Sequence, residues 1–305
     1  MRLGIDLGGT KTEIVALDGS RPVLRERVAT PQSGYDEVIR CMRDLVLGAE
    51  KTLGRTGSVG VAIPGSISRG TGLVKNANAT RLIGHPLDRD LAAAIARPVR
   101  VANDANCFTL SEASDGAAED ADIVFGVIVG TGCGGGVSVG RRVLSGAHGI
   151  AGEWGHSPLP APRPGEIATS PRCYCGRSGC IEAWISGTGL AADFKRRSGR
   201  SLAGPEIAAA AASGDTEASA TMEDFYDRFA RSLATVVNLL DPDAIVIGGG
   251  LSNIDALYVE LPARVERYAF TPEDCTRIVK NRHGDSSGVR GAAWLWSEAE
   301  AAAMG

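Results

Sequence analysis

Apolar positions run through residues 3–7 and 12–17 on either side of Gly8-Gly9-Thr10-Lys11, which predicts two strands joined by a glycine turn. The same pattern returns at 123–129 and 136–139, around Gly130-Thr131-Gly132-Cys133-Gly134-Gly135. A strand, a glycine-rich turn and a second strand, met twice in one chain, predict a duplicated fold with one such hairpin per domain. Between and after these units the period changes. Residues 35–54, 87–96 and 105–113 carry helical spacing, while 59–63 and 99–102 read as strands, the first closed by Pro64-Gly65. A long helix is predicted over 217–240, stopped by Asp241-Pro242 because proline cannot continue the backbone ladder. Residues 244–247 read as a strand running into Gly248-Gly249-Gly250, then a helix to about Arg267, and 288–303 is predicted as one final helix. Residues 158–171 hold five prolines and read as a loop. Strands alternating with helices point to α/β domains with helix-covered sheets.

At 305 residues the chain fits two domains. The pattern divides it into an N-terminal α/β domain over 1–118, rejoined by the final helix (288–305), and a larger α/β domain over 119–287. Apolar residues make up 44 %, enough for a core in each, and 40 glycines predict tight turns and backbone-lined sites. The formal charge of −4 comes without a basic stripe, which argues against nucleic acid as a partner. No apolar stretch approaches the length of a membrane span, and the opening Met1-Arg2-Leu3 lacks the apolar region of a signal peptide. Seven cysteines, three of them in one short segment, do not form a disulfide pattern, so a reducing cytoplasm is the expected location. Cys41, Cys107, Cys133 and Cys275 are scattered and read as small buried residues.

Three features carry candidate chemistry. The first is the pair of glycine turns. Gly8, Gly9, Thr10 and Lys11 offer backbone N–H groups with little side chain in the way, a concavity suited to phosphate oxygens, and Gly130, Thr131, Gly132, Gly134 and Gly135 offer another. Asp6, just before the first turn, is placed to hold Mg²⁺, and Gly248 and Gly249 end a strand where a nucleotide can lie against backbone. Neither turn is a Walker A or Rossmann fingerprint, since those set the glycines between a strand and a helix. The second feature is Asp104, in Asn103-Asp104-Ala105-Asn106 between a predicted strand and a predicted helix. It reads equally as a helix cap and as a catalytic carboxylate at the edge of a sheet. The third is Cys173-x-Cys175-x₄-Cys180, whose spacing suits thiolate ligation. A structural zinc wants four N or S ligands, and with only four histidines in the chain, His156 is the natural fourth.

Asp6-Leu7-Gly8-Gly9-Thr10-Lys11, Asn103-Asp104-Ala105-Asn106, the 130–136 turn, Glu153-Trp154-Gly155-His156 and Cys173-x-Cys175-Gly176-x₂-Gly179-Cys180-x-Glu182 occur in that order. Together they resemble the ROK family, which includes bacterial sugar kinases and sugar-responsive repressors, and the resemblance covers essentially the whole chain. Val74-Lys75-Asn76-Ala77-Asn78, Ser186-Gly187-Thr188-Gly189 and the stretch from His283 to Trp294 look most like the fructokinase branch of the manno(fructo)kinase type. Glucokinase-like members usually carry Pro-Asn-x-Pro-x-Trp where this chain has Lys75-Asn76-Ala77-Asn78.

The resemblance implies a two-domain actin-like ATPase (ribonuclease H-like) α/β fold with a zinc-binding knuckle. It implies ATP and Mg²⁺ as cofactors and a hexose as substrate, D-fructose first, with mannose, glucose and N-acetylated hexosamines as alternatives. Asp104 matches the family's catalytic base. Asn103, Glu153, His156 and Glu182 match positions that contact the sugar, and His156, Cys173, Cys175 and Cys180 match the zinc ligands. Family members are often dimers, so a homodimer is implied as well. A sugar-sensing regulator is the competing reading. The first strand begins at Leu3, which leaves no room for a helix-turn-helix ahead of it, and kinase chemistry is the expected function.

Overall fold

The computed structural model describes residues 1–271 and 276–303, so Cys275 and residues 304–305 of the predicted final segment lie outside the described residues. In chain order the strands are β1 (Arg2–Leu7), β2 (Lys11–Asp18), β3 (Arg21–Ala29), β4 (Ser58–Ile63), β5 (Ser66–Ile67), β6 (Val74–Lys75), β7 (Val99–Asn103), β8 (Ile123–Val129), β9 (Cys133–Val139), β10 (Arg142–Val143), β11 (Ala244–Gly248) and β12 (Arg277–Lys280). The helices are α1 (Tyr35–Leu53), α2 (Leu87–Ile95), α3 (Asp104–Asp115), α4 (Pro164–Ala168), α5 (Glu182–Ile185), α6 (Gly187–Ser198), α7 (Gly204–Ala212), α8 (Thr216–Leu240), α9 (Leu257–Glu266), α10 (Ser287–Trp294) and α11 (Glu298–Ala302).

The two principal sheets share one topology. The first is ordered β3-β2-β1-β4-β7 and the second β10-β9-β8-β11-β12, in each case a hairpin joined to parallel strands. That is the duplication expected from the repeated glycine turns. In the first sheet β4 lies parallel to β1 and β7 parallel to β4, so these strands end on one edge of the sheet. In the second, β11 is parallel to both β8 and β12. Ligands bind at such carboxyl edges because the strand ends and the loops after them form the crevice.

The chain packs as two compact units. One comprises Met1–Glu119, Gly136–Ala151 and Asp285–Gly305, and the other Asp120–Gly135 and Gly152–Gly284. Residues 136–151, expected in the larger domain, thus pack with the first unit.

In the first unit Leu3, Ile5, Val59, Val61 and Ile63 on β1 and β4 pack on Val38, Met42 and Val46 of α1 to form the core. On the other side α10 lies so close to the sheet that a side chain at Gly60 would collide with the carbonyl of Ala292. A side chain at Gly291 would likewise strike the carbonyl of Cys107 in α3. Glycine here is a packing requirement, which accounts for part of the high glycine content. The predicted 288–303 helix is two helices in the structure. Ser297 interrupts it by starting a capping box with Glu300, while the Trp296 indole donates to the carbonyl of Val59 at 2.7 Å. β3 escapes the sequence pattern because it is an edge strand with mostly exposed positions. Its Arg25 and Arg27 reach across to buried Glu13 on β2.

In the second unit α8 begins at Asp215, which accepts from the Ala218 N–H at 3.0 Å, and stops at Asp241 in the left-handed region before Pro242. The 158–171 segment is not merely a loop, because it contains α4. Buried Arg231 donates to the carbonyls of Pro160 and Ala161 and to Glu166 of α4, and buried Arg228 reaches the same Glu166 at 2.8 Å. The Arg231 guanidinium thus satisfies backbone carbonyls of the proline segment, while Arg228 and Arg231 together hold the Glu166 carboxylate of α4.

Candidate active site

In the first unit the turn after β1 is closed by the Gly8 N–H donating to the Lys11 carbonyl at 3.0 Å. Each carbonyl within it is tied from behind. The Thr30 hydroxyl donates to Gly8 O (2.9 Å), the Thr30 N–H to Thr10 O (2.9 Å), and both the Gln32 amide and the Arg81 guanidinium donate to Gly9 O (2.9 Å each). The N–H groups of Gly9 and Thr10 have no acceptor among the described residues. A turn with its oxygens engaged and its N–H groups unengaged is the arrangement that receives an anion.

Asp6 precedes this turn, and Asn103 ends β7 on the same sheet edge, with Asp104 directly after it. Burial pushes the Asp6 carboxyl up to about 7, with Asp104 and Glu13 adding to the shift and Arg27 opposing it. Negative charge on Asp104 thus opposes ionisation of Asp6, and carboxylate oxygens are the ligand type Mg²⁺ takes. The capping role left open for Asp104 falls to Asn103, whose side-chain oxygen accepts from the Ala105 N–H at 2.9 Å. Asp104 Oδ1 accepts from that same N–H at 2.8 Å. Asn103 thus commits its side-chain oxygen to the helix.

In the second unit the turn after β8 is built on the same logic from different residues. The Gly187 N–H and the Thr188 hydroxyl, at the start of α6, donate to Gly130 O and Thr131 O at 2.7 Å each. Thr131 and Gly132 have unengaged N–H groups among the described residues. Glu182, expected to contact sugar, reaches back to this turn: its Oε2 accepts from the Cys133 N–H at 2.8 Å. Gly249, at φ 83°, packs on the backbone of Val129, so Gly248 and Gly249 set the end of β11 directly against β8. Beyond them a cavity of about 500 Å³ is walled by Gly250, Asn253, Tyr226 and the alanines of α7, among them Ala208 and Ala212. Its size suits a nucleoside.

His156, Cys173, Cys175 and Cys180 come together, their ligand atoms all within 4.8 Å of one another. His156 Nδ1 lies 3.6 Å from Cys173 Sγ, and Cys175 Sγ lies 3.6 Å from Cys180 Sγ. Those separations match the edge of a tetrahedron around zinc with Zn–S of about 2.3 Å. The backbone N–H of Arg177 pulls the Cys175 thiol down to about 6, so one ligand is readily deprotonated, whereas burial pushes Cys180 up to about 12. The donor set fits a closed structural zinc. His156 Nε2 meets the Tyr174 hydroxyl at 3.0 Å, and Glu153 approaches the same nitrogen at 4.0 Å. Cys173 Sγ lies 3.8 Å from Glu182 Oε1, which links the knuckle to the second glycine turn. Purified protein is expected to carry about one equivalent of zinc per chain by elemental analysis. Less than roughly half an equivalent in fully active protein would refute the site.

The sequence profile of the ROK family matches residues 2–299. The chain belongs to the ROK family. It is 42 % identical over 299 residues to the N-acetyl-D-glucosamine kinase of Yersinia enterocolitica, covering 97 % of this chain and 99 % of that one. Among solved structures it resembles a ROK hexokinase from Thermus thermophilus, with a TM-score of 0.85, 32 % identity, and 96 % and 97 % of the two chains covered. It also resembles a ROK glucokinase from Streptomyces griseus in complex with glucose and AMPPNP, with a TM-score of 0.75, 26 % identity, and 96 % and 98 % covered. The ROK fold is that of the actin-like ATPases, in keeping with the repeated sheet topology described above. None of these three relatives supports fructose as the preferred sugar of this ROK protein. No helix among the described residues is long and apolar enough to cross a membrane.

Several contributors to the site carried no local signal in the ROK chain. Thr30, Gln32 and Arg81 hold the first turn from 20 or more residues away, and nothing in their own neighbourhoods marks them. The α7 wall did carry one: a run of alanines at helical spacing after Gly204-Pro205-Glu206 is a helix with too little side chain to fill the space beside it.

Proposed function

We propose that this ROK protein transfers the γ-phosphate of ATP to a hydroxyl of a hexose, with Asp104 as the general base. The observation that carries the reading is the shared edge of the first sheet, where Asp6 near the end of β1, the anion-accepting turn after it and Asp104 after β7 stand on parallel strands of one sheet. Phosphoryl transfer asks a protein chiefly for positioning and charge stabilisation, and that edge supplies both. Asp104 accepts the proton of the attacking hydroxyl, and its carboxylate is oriented in advance because Oδ1 is held by the Ala105 N–H. The N–H groups of Gly9 and Thr10 donate to phosphate oxygens, and the turn with Thr131 and Gly132 is a separate anion-accepting turn within its own unit. Asp6 would hold Mg²⁺, which would supply charge neutralisation to the transferring phosphoryl group. The cavity beside Gly250 takes the nucleoside. Glu153, His156 and Glu182 are the groups assigned to sugar hydroxyls in the second unit, and Asn103 in the first. Cys173, Cys175, Cys180 and His156 would hold a zinc, and the knuckle so closed would keep Glu153 and Glu182 in place.

Two sugars are favoured by separate observations. The 74–78, 186–189 and 283–294 segments favour D-fructose, converted to fructose 6-phosphate. The N-acetyl-D-glucosamine kinase at 42 % identity favours the acetylated sugar. Initial rates with Mg·ATP against fructose, mannose, glucose and N-acetyl-D-glucosamine test both the function and the preference. ATP consumption that none of these sugars stimulates would overturn the kinase reading.

A further inference from the structure

Arg81 lies in no motif, yet with Gln32 it ties down the first phosphate turn from behind. Nη2 donates to Gly9 O at 2.9 Å, and Nη1 donates to Pro31 O and to Gln32 Oε1 at 2.8 Å each. Gln32 in turn donates through Nε2 to Gly9 O at 2.9 Å and to Thr30 O at 2.7 Å. A guanidinium only donates, so it sets the orientation of the Gln32 amide: the oxygen must face Arg81 and the N–H₂ must face the turn. The two side chains therefore act as one brace that converges on a single carbonyl.

The support for Arg81 is itself anchored. It sits in a short helical turn, Thr80–Leu82, whose next residue Leu82 is buried in the core of the first unit. The segment around that turn is closed at its base, where the Val74 N–H donates to His85 O and the Gly84 N–H to Val74 O, both at 2.9 Å. Leu82 inward and Arg81 outward is a rigid mount for the guanidinium. Gly9, by contrast, has open space around its α-carbon and no side chain to hold it, so its peptide has no local reason to keep one orientation.

We propose that Arg81 is a positioning residue for phosphoryl transfer. Together with Gln32 it fixes the Gly9 carbonyl away from the nucleotide, so that the Thr10 N–H, on the opposite side of the same planar peptide, faces the phosphates. A peptide free to rotate would present its oxygen to the γ-phosphate in part of the population and weaken nucleotide binding accordingly. The inference rests on the kinase reading, and the experiment separates the two.

Arg81→Ala is expected to raise the KM for Mg·ATP, and the Kd for Mg·AMPPNP measured by calorimetry, roughly tenfold, with the KM for the hexose and the melting temperature little changed. Arg81→Lys, which keeps a single donor within reach of Gly9 O, restores part of the affinity. Gln32→Ala combined with Arg81→Ala is expected to cost little more than either alone, because the two hold one carbonyl. Unchanged nucleotide affinity in Arg81→Ala, beside normal hexose-dependent turnover of the wild type, overturns the brace and leaves the kinase reading standing. A rise confined to the hexose KM, or a fall in melting temperature that accounts for the loss, overturns it too.

Discussion

Asp104→Asn is expected to retain hexose binding while kcat falls by at least about a hundredfold, general-base assistance being worth typically ~10²–10⁴. The substitution is nearly isosteric. The asparagine oxygen can still accept from the Ala105 N–H, so the side chain keeps its orientation and α3 keeps its start. Asn103 also caps that helix independently, which makes a folding defect a poor explanation for lost turnover. What disappears is the basicity. Steady-state kinetics beside calorimetric titration with the hexose separate the two effects, and near-normal kcat would show that Asp104 is not the base. The same comparison decides between the kinase and the sugar-sensing alternative. A regulator needs hexose binding alone, whereas a kinase needs a proton acceptor at the sheet edge.

Asp6→Asn is expected to do two opposite things: remove most activity and stabilise the fold at neutral and alkaline pH. The folded-state pKa of Asp6 is about 7 against an ordinary value of 3.8, with burial the leading cause. A raised acid pKa means that the folded state holds its proton longer than the unfolded chain. The associated stability is therefore full below about pH 4, is lost progressively as pH rises toward 7, and leaves a constant penalty above. Three pKa units correspond to roughly 4 kcal/mol at most. Asparagine carries no charge and escapes that penalty. The stability gap between variant and wild type should widen from pH 4 to 7 and then level off in denaturant unfolding followed at several pH values. A gap that is flat with pH would mean the Asp6 charge is not what the fold opposes. The same proton competes with Mg²⁺, so the wild-type KM for Mg·ATP should rise as pH falls below about 7. An acid that the fold would rather keep neutral is a cost accepted for function, as sites tuned for charge often show.

How much of this was legible in the chain depends on whether a feature is written locally. Strand-turn-strand units, the stop of α8 at Asp241-Pro242 and the thiolate spacing are short-range patterns, set by backbone sterics and by the reach of a few residues, and the structure bears them out. β3 was hidden because an exposed edge strand has no apolar alternation to detect. The break between α10 and α11 was hidden because alanines and glutamates favour helix throughout, and only the Ser297 cap marks the interruption.

The sequence by itself determined the long, strongly patterned elements, the duplicated plan, the identity of the charged and thiol groups and their order, because each follows from local propensity or from residue type. Only the tertiary structure decided which side chain caps α3, where Glu182 points, and which distant residues hold the glycine turns open. Those outcomes depend on Thr30, Gln32, Arg81 and Thr188 arriving from other elements. A carbonyl accepts from whatever donor packing brings to it, and no pattern along one strand records that meeting.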